Sequence, residues 1–227
     1  MSFSAAFHAR LRHTFIREGK SLWRAYMNAA VAELQLASPV LDLGSGAYGT
    51  ASYHRLIPNW QNFEVESVDI APDRRPTKIA DIEQGIPYED GRFQSVVNFN
   101  LLILLYDYRA VLRESYRVLA AGGKLYITVP FLVRISPDPA DYFRFSPQAL
   151  SRLLSECGFE SVEIRSLGAG AVTAALAQID FALPRLVRGL ALRGAWGLDS
   201  LLTRRSGGKY RNADDYPLGH IVVGRKP

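Results

Sequence analysis

A single cysteine, Cys157, stands among the 227 residues, so no intrachain disulfide framework can form. Long hydrophobic runs are also missing. The most apolar region, 171–202, is interrupted by Arg185, Arg188 and Arg193. It falls short of the roughly 20 uncharged apolar residues of a spanning helix, and an integral membrane protein is not expected. Only four histidines occur. His8 and His13 lie five apart, off the i, i+4 spacing of a helical metal pair, and no second His or Cys cluster completes a site, so no metal is expected. His54 and His220 read as structural. The N-terminal stretch has no apolar secretion core; being Arg-rich and acid-free up to Glu18, it bears only a faint likeness to an organelle transit sequence, and a cytoplasmic location is expected.

What is present is 48% hydrophobic and 22% charged, the profile of one globular domain with an appendage, which excludes disorder and collagen-like structure. The charge is unevenly placed. Residues 181–227 carry nine basic groups against three acids, net +6, while the other 180 residues carry −1. Such a tail attracts phosphorylated substrates, anionic lipid or nucleic acid, unless it is only a solvated face.

Apolar residues at helical spacing (Phe7, Leu11, then Leu22, Tyr26, Ala30, Leu34) predict two N-terminal helices broken near Gly19 and ended by Ser38-Pro39. Short β-branched or apolar runs follow at 39–43, 64–70, 94–99 and 124–130, separated by helix-length segments. That alternation predicts a mostly parallel sheet covered on both faces. Ser146-Pro147, the stripe Leu150, Leu153, Leu154, Cys157, and then Gly158 mark a helix with its cap, first-turn proline and terminating glycine, Cys157 lying on its buried face. Final strands are expected at 161–166 and 219–224. The roughly 50 residues between them far exceed a hairpin loop of about 2–5 and read as an insertion.

The strongest chemical signal is PVLDLGSGAYGT, residues 39–50, an apolar strand running into Gly44, Gly46 and Gly49. Glycines at a strand-to-helix turn let a ligand approach the backbone, although the spacing alone also suits an ordinary turn or a dinucleotide loop. Three carboxylates separate the readings. Asp42 sits inside the strand, poorly placed for a pyrophosphate and well placed for an ammonium group. Asp69 ends the next strand, where it can accept from both hydroxyls of a ribose. Asp81 ends a third short apolar segment and suits an adenine amine, or a simple cap. Together they outline an adenosine carrying a charged amino-acid tail.

On these residues the sequence resembles the class I S-adenosylmethionine-dependent methyltransferases, in particular the group written methyltransferase type 11. The resemblance runs over about 38–166 and 216–226, and its most specific block is LRESYRVLAAGGKLYITVPF, residues 112–131. It implies a three-layer, Rossmann-like α/β fold with a seven-stranded, mostly parallel sheet and one antiparallel strand, and S-adenosyl-L-methionine as cofactor. By the same resemblance Gly44, Ser45 and Gly46 meet the methionine part, Asp42 its ammonium, Asp69 the ribose, Asp81 and Ile82 the adenine edge, and Ile70 the adenine face. Asn98, ending the fourth strand, joins this cofactor set. Two positions depart from the family pattern. Tyr48 stands where the third glycine falls, and NFNLLILLYD, residues 98–107, has Asn100, Ile103 and Leu104 where relatives carry an acid and a His, so no catalytic group is inherited there.

Methyl transfer from a sulfonium is an in-line displacement that needs the acceptor held close and water excluded; a hydroxyl acceptor also needs a proton acceptor. SPDPADYFRFSP, residues 136–147, follows the fifth strand and resembles a D-Y-W-R-F-T-P segment of relatives. Asp141 and Tyr142 are therefore the candidate catalytic, substrate-facing residues. Asp138 lies nearby, and Arg144 is an anion contact or a brace that shapes the loop with Asp141.

The expected organisation is N-terminal cap helices over 1–38, a methyltransferase core over 39–167 and 217–227, and a helical insertion over 168–216. The insertion's leucines, Trp196 and arginines (Arg185, Arg188, Arg193, Arg204, Arg205) suit either a lid or an element resting on an anionic membrane surface. The acceptor is expected to be a small molecule, a saccharide or lipid-linked. The rival readings are a nucleotide-dependent oxidoreductase on the same glycine loop and a non-catalytic cofactor-binding adaptor. A nucleic-acid partner is disfavoured because no N-P-P-[YF] base-gripping motif is present.

Overall fold

The β-branched runs pair into one seven-stranded sheet in the computed structural model, which describes all residues except Met1, Ser2, Tyr48, Thr50, 136–139, Gly208 and Arg211. The strands are β1 (Val40–Leu43), β2 (Val65–Asp69), β3 (Lys78–Ile79), β4 (Phe93–Phe99), β5 (Leu119–Pro130), β6 (Glu160–Leu167) and β7 (Gly219–Arg225). Their spatial order is β3-β2-β1-β4-β5-β7-β6. β1 pairs in parallel with both β2 and β4, β2 with β3, and β4 with β5. β7 runs against β5: Gly122, early in β5, donates to the carbonyl of Lys226, whereas Phe131, just past β5, donates to that of Leu218. The sheet is thus mostly parallel with one reversed strand, as expected. Its order switches at β1, and in open sheets of this kind the ligand crevice lies outside the carboxyl ends of the strands at the switch.

Parallel strands need long crossovers. Two of them are well-capped helices: α3 (Tyr108–Val118) starts at Asp107, whose carboxylate accepts from the Ala110 N–H at 3.0 Å, and α4 (Pro147–Glu156) starts at Ser146, whose hydroxyl accepts from Ala149 at 3.2 Å. Cys157 is the C-cap of α4 and only partly buried, with burial raising its thiol pKa. The segments after β1 and β2 do not form the expected helices. They hold short 3-10 turns at Ser52–Arg55, Trp60–Asn62 and Pro72–Arg74. Pro58 and the left-handed Asn59 interrupt the first segment; Pro72, Pro76 and the left-handed Arg75 interrupt the second.

The chain divides into two compact units. The sheet unit comprises residues 34–129, 136–165 and 221–227, and its apolar core gathers Leu41, Val96, Leu112, Leu125, Leu154 and their neighbours.

The helical unit comprises residues 1–33, 130–135 and 166–220, so the N-terminal helices and the insertion belong to one body. It contains α1 (Ala5–Arg12), continued by a π-helical turn over His13–Arg17, then α2 (Leu22–Val31), α5 (Ala171–Ile179) and the 21-residue α6 (Arg185–Arg205). Ser4 and Ser21 cap the first two helices by accepting from Phe7 and Arg24. α5 begins at Gly170 with no cap of its own. Asp199 of α6 supplies it, accepting from the Val172 and Thr173 N–H groups at 2.9 and 3.0 Å and from the Thr173 hydroxyl at 2.7 Å. Arg188 is buried and donates to the carbonyls of Phe15, Lys20, Asp180 and Leu183. That corrects the expectation that Arg188 belongs to an outward basic stripe: four orphan carbonyls from three loop and helix ends hold it inside. Trp196 also turns inward, its indole N–H donating to the Tyr26 hydroxyl at 3.0 Å.

Candidate active site

The carboxyl end of β1 is a turn that only glycine makes easily. β1 is buried along its whole length and stops at Leu43. Gly44 then takes φ 75° while its N–H donates to Val68 of β2 at 2.7 Å. Gly46 takes φ 70°, and a Cβ there would collide with the carbonyl of Arg74. That carbonyl accepts from the Ala47 N–H at 2.8 Å.

Asp42 is fully buried beneath this turn. Its Oδ1 accepts from the Tyr53 hydroxyl and its Oδ2 faces His54 Nε2, both at 2.8 Å. His54 Nδ1 accepts from the Gly49 N–H at 2.9 Å, which puts the ring proton on Nε2, directed at Asp42. Burial pushes the Asp42 carboxyl pKa up, opposed by hydrogen bonds from His54, Ser45 and Tyr53. The ring of Trp60 stacks on His54 at 4.9 Å. Asp42 therefore ties the glycine loop to the strand through His54 and Ser45. The sequence pattern marks His54 as structural and gives no chemical signal for Tyr53. Their only local signal is position, a few residues past Gly49.

Asp69 closes β2 and is buried, its Oδ1 accepting from Ala71 N–H at 2.9 Å. The next residue, Ile70, is 66% exposed. Arg74 reaches back so that Nη1 lies 3.4 Å from Asp69 Oδ2 and 3.3 Å from the Gly44 carbonyl. The ends of β1 and β2 thus share one polar notch, spanned by a single guanidinium. Nothing in the sequence pattern distinguished Arg74. Asn98, near the end of β4, is buried, and neither its Oδ1 nor its Nδ2 has a partner among the described residues. An orphaned buried amide of this kind invites a ligand or water. Asp81 is exposed two residues beyond β3 and accepts from the Glu83 N–H at 3.0 Å; Ile82 is buried in the sheet core. The glycine turn, His54, Trp60, Arg75 and Thr77 wall a cavity of about 460 Å³.

The second candidate pair is held by the block that departs from the family pattern. Ile103 is buried, and its carbonyl accepts from the Tyr142 N–H at 2.9 Å. Tyr142 is half exposed, with its ring 5.4 Å from that of Tyr106. The Asp141 carboxylate is almost fully enclosed and bound through both oxygens by Arg144, one contact at 2.8 Å. Asp138 and Tyr48 lie outside the described residues. Among the described residues no group of three or more His, Cys, Asp or Glu is placed to hold a metal ion.

These features agree with what comparison finds. Residues 41–127 match the methyltransferase type 11 family model, described as a methyltransferase domain. Curated proteins yield no match. Among solved structures, an S-adenosylmethionine-dependent methyltransferase from Archaeoglobus fulgidus aligns with 95% of this chain and 98% of its own, at 19% identity and a TM-score of 0.59. The [4+2]-cyclase SpnF aligns over 91% and 81%, at 17% identity and 0.56. Phosphoethanolamine N-methyltransferase 2 of Haemonchus contortus, solved with S-adenosyl-L-methionine, aligns over 97% of this chain and 57% of its own, at 13% identity and 0.54. These likenesses establish the fold: a Rossmann-like α/β domain of the methyltransferase type. Within that fold, the stretch over 41–127 is similar to a methyltransferase domain.

Proposed function

We propose that the chain binds S-adenosylmethionine at the β1 and β2 ends and transfers its methyl group to a small-molecule, saccharide or lipid-linked acceptor. Fold alone does not carry this, since the same fold serves a [4+2]-cyclase. The observation that carries it is the notch: Asp69 and the Gly44 carbonyl are close enough for one guanidinium nitrogen to meet both. A ribose hydroxyl is a donor of similar reach. Ile70, exposed at the next position, offers an apolar face for adenine, with Asp81 and the Ile82 backbone at its edge. Gly44, Ser45, Gly46 and the unpartnered Asn98 amide serve the methionine end.

Bound there, the cofactor supplies an electrophilic methyl on a sulfonium. The chain's own part is positioning. Asp42 acts through His54 and Ser45 to hold the glycine loop. Tyr142 faces the acceptor, and Asp141 orients the acceptor loop through Arg144; a carboxylate with both oxygens engaged by a guanidinium is a weak proton acceptor.

Calorimetric titration with S-adenosylhomocysteine and, separately, NADH tests the cofactor, since the oxidoreductase rival requires the second. Incubation of cell extract with methyl-labelled cofactor, followed by separation of lipid, saccharide, protein and RNA fractions, tests the acceptor. Label in protein or RNA alone overturns the acceptor reading, and binding without label in any fraction favours the adaptor.

A further inference from the structure

We propose that the outward face of α6 docks on an anionic lipid surface. α6 presents two faces of opposite character. Arg188, Leu192, Ala195 and Asp199 point inward and are buried. Leu186 and Leu190 are 97% and 75% exposed, and Leu198, Leu201 and Leu202 are exposed further along. The turn that precedes the helix adds Phe181, 75% exposed. Single exposed apolar residues are ordinary on a protein surface, but these six within 22 residues, five of them on α6, form a stripe, which marks an interaction surface.

The charges beside that stripe select the partner. Arg185, Arg193, Arg204 and Arg205 are exposed, and none forms an ion pair among the described residues. The two acids of this stretch, Asp180 and Asp199, are both buried and bound to backbone N–H groups. The outward face is therefore apolar and cationic with no acid on it, which is the pattern of a helix lying in a bilayer interface with its leucines in the acyl boundary and its arginines among anionic headgroups. No helix of the described residues is long and apolar enough to cross a membrane. α6, about 32 Å long, would lie along the surface. A second copy of the chain would bring four more arginines against these four, so like charges oppose that occupant.

Sedimentation of the full chain with phosphatidylglycerol vesicles, against phosphatidylcholine vesicles, at low and high salt tests the surface. Binding is expected to the anionic vesicles only, weakened by salt. Arg193→Gln and Arg204→Gln should each lower the partition coefficient about fivefold. Leu186→Ser with Leu190→Ser should lower it by at least tenfold, with unchanged thermal melting showing that the exposed substitutions leave the fold intact. No binding at low salt overturns the proposal. So does binding that the leucine variant leaves unchanged and that heparin removes, which would mark a general polyanion patch. Self-association that the leucine variant abolishes would make a second copy the occupant and overturn it too. The readout is independent of cofactor, so its failure leaves the methyltransferase reading untouched.

Discussion

Arg74 sits on Asp69, its Nη1 3.4 Å from the carboxylate, while its backbone carbonyl occupies the space that a Cβ on Gly46 would need. The same residue thus contacts both the group expected to hold ribose and the glycine expected to admit the methionine end. Removing the carboxylate and removing the guanidinium should act in opposite directions. Asp69→Ala should weaken S-adenosylhomocysteine binding by about 1.5–3 kcal/mol, the worth of charge-assisted hydrogen bonds. Arg74→Ala should tighten it, because the notch no longer has to be vacated. Calorimetry on both variants decides; equal weakening would show that Arg74 is a cofactor contact.

The Asp42–His54 pair is buried, with only 2% of the His54 side chain exposed, so breaking it leaves a carboxylate without its main donor. His54→Ala should destabilise the fold by about 1–3 kcal/mol, the cost of leaving a buried acceptor short of a donor. Adding Asp42→Asn to that variant should recover part of the loss. Urea titration of the two single variants and the double gives the coupling; strict additivity would mean the two side chains act independently.

The parts legible in the sequence are those set by local pattern. The edges of β1, β4 and β7 fall within a residue or two of the apolar runs, and α4 begins at Ser146-Pro147 because a cap and a first-turn proline act within one turn. β5 starts at Leu119, five residues before its β-branched run at 124, since Gly122 and Gly123 pair there with Lys226, just past β7, despite their poor strand propensity. Arg188 was illegible for a different reason. Nothing near it in sequence separates it from Arg185 or Arg193, and two of the carbonyls that bury it come from Phe15 and Lys20. Arg74 and His54 were illegible likewise, because their partners lie across the strand ends. The placement of Asp42, Asp69 and Asp81 near strand ends was readable because each belongs to a recognisable strand or strand-like segment.

Asp141 and Arg144 form a two-pronged pair that shapes the loop carrying Tyr142. Asp141→Asn should lower turnover while leaving cofactor affinity nearly unchanged, and Tyr142→Phe should lower turnover without affecting stability, since its ring is half exposed. Steady-state kinetics beside calorimetry separates the outcomes. Equal losses of cofactor binding in Asp141→Asn would place the residue in the cofactor site instead.

Gly194 and Gly197 lie inside α6, and a Cβ at either would meet nothing within 4 Å. Alanine there removes backbone freedom from the unfolded chain without a clash, so each substitution should stabilise by up to about 1 kcal/mol. Melting temperatures should rise by about 2–4 °C for each kcal/mol. A drop in either variant would mean that this stretch is not helical in solution.

His220, the second residue of β7, is fully buried beside the ring of Phe131 at 5.7 Å, and neither ring nitrogen has a partner among the described residues. Burial pushes its pKa from 6.5 down to about 4. The unfolded chain therefore takes up a proton near pH 6.5 that the folded chain refuses until near pH 4, so the unfolded state binds more protons in that window and stability falls as pH falls through it. The slope is about 1.4 kcal/mol per pH unit, or about 3 kcal/mol across the window. His220→Phe fills the space with an apolar ring of similar size and removes the titration. Its urea midpoint, measured from pH 7 to pH 4, should decline less steeply than that of the parent chain. Parallel curves for the two proteins would show that His220 is not the group responsible.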